Sequence, residues 1–300
     1  MATRVNLETF ISSTLANVQK STSNMSRLQE QISTGKKVNR ASDDPAGARK
    51  ILSLRSEDLR LDQYASNIQT ATQSLDFNAA ALSNTSDIVQ RITELTMQGV
   101  SGATDQSGRT IIANEINQLL ETIMQSANSQ RLGRYTFAGT ETTTEPFVAT
   151  RNASGNISSV AYNGNRETIQ YNVGPNTNTT VNLTGDEVFM QTRLFDTIVK
   201  IRENLLDGAI TFATNELTNL DNASQNILNS IAKAGGISST LELTGNRIDD
   251  TKLSLQEVLA SAESADIAEL VLKLTEQQSI FEASLSSGSY IFKTSILNYI

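Results

Sequence analysis

Apolar side chains recur at steps of three and four along the first part of the chain, at Leu7, Ile11, Leu15, Val18, Met25, Leu28 and Ile32, with Thr22 in the slot between. Such steps keep one stripe on one helix face, and over about 28 residues they predict a coiled-coil seam. Gly35 suits the position after a last helical turn, and Lys36 and Lys37 complement the negative end of the helix dipole. A second helix is expected to open at Asp43, Asp44 and Pro45, with Asp44 as N-cap and Pro45 at the first helical position. Both acids also favour the positive end of the dipole. From there Leu54, Leu61, Ile68, Leu75, Leu82 and Val89 recur every seventh residue, and Tyr64, Ala71 and Ile92 complete the stripe. Residues 45–99 would make a rod about 80 Å long. A rod of that length cannot bury its stripe alone, so partner helices are expected.

A turn from Gly99 to Gly108 precedes a third helical pattern, with Ile112, Ile116, Leu119, Ile123 and Ala127 on one face. The pattern then changes. Residues 135–190 hold Pro146 and Pro175, many aromatics, and short alternating runs such as Val160 to Tyr162 and Thr168 to Val173. Asn163-Gly164 between two such runs is a type I′ hairpin signal. This stretch predicts a small β-rich insert. Beyond it, Leu194–Leu206 is a short helical piece ending at Asp207-Gly208. A longer helical region follows, through Leu217, Leu220, Ile227, Ile231, Leu241, Ile248, Leu255 and Leu259, with a bend expected at Gly235-Gly236. After a change of phase at Ala265-Asp266, Ile267, Leu270, Leu274, Gln277, Phe281, Ser284 and Gly288 give a second terminal seam, with Leu285 beside it.

The fold expected is mainly α with a small β insert. Coiled-coil arms at 1–42 and 262–300 lie side by side as the inner core. A long helical bundle is built from 43–134 and 191–261, and an outer insert occupies 135–190. Each arm alone has too little core to be stable, so neighbours are implied.

Composition narrows the function. The chain has no His, Cys or Trp among 300 residues, which excludes histidine acid–base chemistry, thiolate nucleophiles, disulfides and cysteine-ligated metals. No calcium-loop spacing, phosphate-binding glycine loop or serine elbow occurs, so no enzyme activity, cofactor or metal is expected. A net charge of −8 argues against nucleic-acid binding. No apolar run approaches the roughly 18 residues that span a bilayer, and the N-terminal residues lack the apolar core of a cleaved signal peptide. Asp43-Asp44 could be read as a catalytic carboxylate pair, but Pro45 directly after them favours capping. Asp249-Asp250 reads as a solvated helix face. The several Asn-X-Ser/Thr triplets read as chance in an Asn-, Ser- and Thr-rich chain.

The run from Ile32 through Gly35, Lys36, Arg40, Asp43, Asp44, Pro45 and Ala46 to Gly47 resembles the N-terminal signature of the flagellin superfamily. Tyr135 to Gly139, Pro146-Phe147, Gly185 to Phe189 and the ending from Ala283 to Ile300 resemble the branch that forms the hook–filament junction. The resemblance implies paired terminal arms lining a tube, long helices as its shell and the insert outside. It implies a structural role in the bacterial flagellum, as a ring of copies between hook-associated protein 1 and the flagellin filament. It further implies secretion by the flagellar type III apparatus and an export chaperone at the C-terminal arm. The subunit-interface residues are then Leu7, Ile11, Leu15, Val18, Met25, Leu28, Ile32, Leu270, Leu274, Phe281 and Leu285. The alternatives are a flagellin filament subunit, a cytosolic coiled-coil scaffold, and a hydrolase with oxygen ligands in the insert.

Overall fold

The computed structural model describes residues 2–209 and 213–297, with side chains described except at 2–8, 10, 213 and 291–297. Among the described residues six helices dominate: α1 (Ala2–Thr34), α2 (Pro45–Gly99), α3 (Gln106–Ala127), α4 (Leu194–Leu206), α5 (Ala213–Glu263) and α6 (Ile267–Leu297). Six short strands lie between α3 and α4: β1 (Gln130–Arg131), β2 (Arg134–Tyr135), β3 (Phe147–Arg151), β4 (Ile157–Tyr162), β5 (Gln170–Gly174) and β6 (Thr177–Thr180). The fold is therefore mainly α with a small β insert. The chain divides into two compact units, Met1–Arg60 with Thr251–Ile300, and Leu61–Asp250.

In the second unit the seven-residue repeat of α2 is the core. Leu61, Ile68, Leu75, Leu82 and Val89 are buried, as are Ala71 and Ile92. Asn78 and Thr85 hold two slots of the accompanying row and are also buried. Thr85 satisfies its hydroxyl by donating to the Ala81 carbonyl at 2.9 Å. On α3 the buried residues include Ile112, Ile116, Leu120 and Ile123, so Leu120 takes the place expected of half-buried Leu119. Asp105 caps α3 by accepting from the Gly108 amide at 2.8 Å. The α5 helix runs unbroken through Gly235 and Gly236.

Each strand pairs once, in three two-stranded antiparallel sheets. The type I′ turn falls at Leu132-Gly133, between β1 and β2, where both residues have positive φ. Asn163-Gly164 is not a hairpin turn, contrary to its sequence signal. β4 pairs backward with β3, and the Asn163 amide donates to the Pro146 carbonyl at 2.7 Å, extending that ladder. Tyr162 completes the arrangement, donating its hydroxyl toward the Phe137 and Asn165 carbonyls at 2.9 Å each.

Phe137, Phe147, Phe189 and Phe195 form one buried cluster with Tyr162, with neighbouring ring centroids 5.1–5.9 Å apart. It joins the insert to α4. A single π-helical turn, Asp186–Met190, carries Phe189 into the cluster. Asn128 fixes β3 at its start, accepting from the Phe147 amide at 3.0 Å and donating to the Phe147 carbonyl at 2.8 Å. Gly139, at φ 71, lies so close to Asn165 that a Cβ would collide with its side chain and backbone.

Candidate assembly interface

The first unit is built on an antiparallel helix pair. α1 packs along α6, and Ser21 meets Gln277, whose amide donates to the Ser21 hydroxyl at 2.7 Å. Further along the seam a Cβ at Gly288 would lie 3.3 Å from the Thr14 methyl, so glycine permits close helix approach there. Leu28 and Ser21 are buried. Ile11, Val18, Met25 and Ile32 are half-buried on α1, as are Leu270, Leu274, Phe281, Ser284 and Gly288 on α6. Ser21, rather than Thr22, fills the slot between Val18 and Met25. Thr22 is exposed and returns its hydroxyl to the Val18 carbonyl.

Leu15 and Leu285 lie apart from that seam. They are 57% and 48% exposed. The side chain of Leu7 lies outside the described residues. The outer side of α6 adds Val271, Leu272 and Ile280, all exposed. The pair thus carries more apolar surface than its own seam covers, the pattern of a surface made for contact.

Where α1 ends, the chain makes an elbow against the break between α5 and α6. Gly35, at φ 66, frees its carbonyl for the Ala265 amide at 3.0 Å, and the Lys37 amide donates to the Glu263 carbonyl at 2.7 Å. The Glu263 carboxylate receives Arg55 at 2.7 Å and Lys36 at 3.6 Å. One carboxylate therefore ties the α1–α2 loop, the first turns of α2 and the end of α5. Its role could not be read from the sequence, because its partners lie more than two hundred residues away.

The cap residues sit at the same elbow. Asp44 Oδ1 accepts from the Ala46 and Gly47 amides at 3.1 and 2.9 Å, opening α2 at Pro45. Asp43 Oδ2 accepts from the Arg40 amide at 3.0 Å, and Arg40 in turn pairs with Glu30 at 3.1 Å. Gly47 has no room for a side chain, since a Cβ would overlap the Asp44 carboxylate. Among the described residues no cluster of acidic side chains is placed to hold a metal, and no helix is long and apolar enough to cross a membrane.

The family described as the bacterial flagellin N-terminal helical region matches residues 5–142, which takes in α1, the elbow, α2, α3 and the first hairpin. Flagellar hook-associated protein 3 of Escherichia coli (strain K12) is 27% identical over 252 residues, 84% of this chain and 74% of that protein. Residues 5–142 are thus similar to the flagellin N-terminal helical region, and most of the chain is similar to flagellar hook-associated protein 3. Another relative is the flagellar filament 30.7 kDa core protein of Treponema maltophilum, 24% identical over 258 residues, 86% of this chain and 85% of that protein. The crystal structure of flagellar hook associated protein-3 from Legionella pneumophila shares the fold. It is 16% identical, with a TM-score of 0.64 over 70% of this chain and 98% of that one. In this chain the segments Tyr135–Gly139, Pro146-Phe147 and Gly185–Phe189 each place a residue in the core. Phe137, Phe147 and Phe189 are fully buried, and Gly185 packs where a Cβ would strike the Phe147 ring.

Proposed function

We propose that this chain is a structural subunit of the bacterial flagellum, forming the junction ring between the hook-associated protein 1 layer and the flagellin filament. The carrying observation is the similarity to hook-associated protein 3 over most of both chains. The α1–α6 pair, with apolar residues left outside its seam, supports a protein that completes its packing against neighbours. The filament-subunit reading draws on the Treponema relative. The Tyr135–Gly139 and Pro146-Phe147 motifs favour the junction.

In this reading the arms consolidate on docking. Ile11, Val18, Met25, Leu28 and Ile32 hold the seam with Leu270, Leu274 and Phe281, while Leu7, Leu15 and Leu285 reach neighbouring copies. Full burial of one such side chain is worth about 1.5–3 kcal/mol, which opposes the entropy cost of ordering the arm. The gain is complete only when every neighbour is in place, so assembly is cooperative and confined to a correct template. Secretion through the flagellar apparatus and an export chaperone covering α6 belong to the same proposal. A chain without cysteine suits that route, because no disulfide has to form or break.

The test adds purified full-length chain to hook tips already carrying hook-associated protein 1. A layer one subunit thick that then stops supports the junction role. An elongating tube makes the chain a filament subunit and overturns it.

A further inference from the structure

Gly235 and Gly236 lie exposed in the middle of the 51-residue α5, which passes through them without a break. Neither has a positive φ, and a Cβ at either would meet nothing within 4 Å. Neither conformation nor packing calls for glycine there, although only proline disfavours a helix more. Ile237, Ser238, Ser239 and Thr240 follow, two β-branched residues and two serines, which are also weak helix formers.

The facing helix is weak at the same level. α2 and α5 run antiparallel: Asp76 accepts from Ser238 at 3.4 Å, and a Cβ at Gly245 would lie 3.7 Å from the Ile68 side chain. That register sets Asn78 level with the two glycines. Asn78 is 1% exposed, and its Oδ1 has no hydrogen-bond partner among the described residues. A buried oxygen without a donor costs stability. The α5 side chain buried beside this level is only the methyl group of Ala234.

The bundle also thins here. Arg91 pairs with Glu115 and Arg131 donates to Gln73, a register that brings Ala127, the last residue of α3, level with Asn78. α4 runs back along α3 from Gln106, which donates to the Leu205 carbonyl at 3.2 Å, past Asn117, which accepts from Arg202 at 2.8 Å. With 13 residues against 22 it stops short of the same level. On one side of the glycines α5 lies in a four-helix body. On the other, α2 is the helix of this unit that continues beside it.

We propose that Gly235-Gly236 is a hinge at which α5 bends where the four-helix body ends. Kinks form at glycine and serine pairs and where water enters the helix ladder. Bending admits water to Asn78, which supplies the donor that its Oδ1 lacks in the unbent form. The hinge concerns this unit alone and stands whether or not the chain forms the junction ring.

A chain without cysteine takes spin labels cleanly at Leu228→Cys and Leu243→Cys, positions 47% and 69% exposed. Each lies two helical turns from one of the glycines and so on the same face, and a straight helix separates them by about 22 Å. In the full-length chain, pulsed dipolar spectroscopy should give a distance distribution about twice as broad as in the Gly235→Ala/Gly236→Ala background. Both alanines fit the open space. Asn78→Leu, which removes the unpaired oxygen, should narrow the distribution as well. Amide exchange gives a second reading: protection at 236–240 should be about tenfold lower than at 227–231 and 244–248, and the alanines should restore it. Equal widths in all three backgrounds, or uniform protection along wild-type α5, overturn the hinge. Narrow wild-type distances together with loss of the double-alanine chain from hook tips would make the glycines a seat for a neighbouring helix, which also overturns it.

Discussion

The Gln277 amide of α6 donates to the Ser21 hydroxyl of α1 at 2.7 Å, inside a seam whose other members are mostly apolar. Ser21 is 3% exposed. A polar pair in an apolar seam fixes register, because sliding either helix would leave both groups unpaired. Gln277→Ala is expected to lower stability by about 1 kcal/mol. Ser21→Ala in that background should add little, since the bond is already gone. Thermal unfolding of the four chains of this double-mutant cycle, followed by circular dichroism, measures the coupling.

At the elbow, Glu263→Gln leaves Arg55 and Lys36 without their carboxylate. Both cations are about half exposed, so solvent screening limits the loss to about 1 kcal/mol or less. The difference between variant and wild type should shrink as salt rises. The Lys37 amide to Glu263 carbonyl bond survives the change, so the elbow opens more often rather than dissolving. Proteolysis at 35–44, compared at low and high salt, reads this out.

Asp44→Ala removes the acceptor for two amides at the start of α2. The expected cost is about 1 kcal/mol, whereas Asp44→Asn keeps an acceptor and costs much less. Denaturant unfolding of both variants separates the cap from a catalytic reading, in which either change would abolish an activity without touching stability.

How much of this was legible beforehand depended on the range of the determining interaction. The heptad of α2 and the two arm stripes were readable because their period lies within a few turns of one helix. Periodicity did not tell which side of a wide stripe meets the partner, and so Leu15 and Leu285 lie exposed while Ser21 is buried. Asn163-Gly164 has the favoured turn residues, yet no hairpin turns there. The fold there is decided by Tyr162 reaching Phe137 and by Asn165 pressing on Gly139, contacts some 25 residues apart in sequence. The turn that does form uses leucine in a position that disfavours it. Glu263 was invisible for the same reason of range.

Tyr162 gives a pH prediction. Burial, the largest cause, pushes its phenol above the ordinary value near 10, partly opposed by hydrogen bonds to the backbone. A folded-state value above the unfolded one favours the folded protein below about pH 10, and that stability is lost as pH rises beyond it. Alkaline unfolding of the wild type should therefore steepen above about pH 10. Tyr162→Phe should be less stable at neutral pH, having lost its hydroxyl bonds to the Phe137 and Asn165 carbonyls, yet show a shallower alkaline slope. Thermal unfolding across pH for both chains checks it.

Leu274 lies in the α1–α6 seam, half-buried on α6. The most direct measurement is competition between Leu274→Asp and wild-type chains for hook tips carrying hook-associated protein 1, counted by labelled electron microscopy. The variant is expected to keep the aromatic-cluster unit folded, by near-ultraviolet circular dichroism, and to be all but absent from the tips. Incorporation equal to the wild type would contradict it.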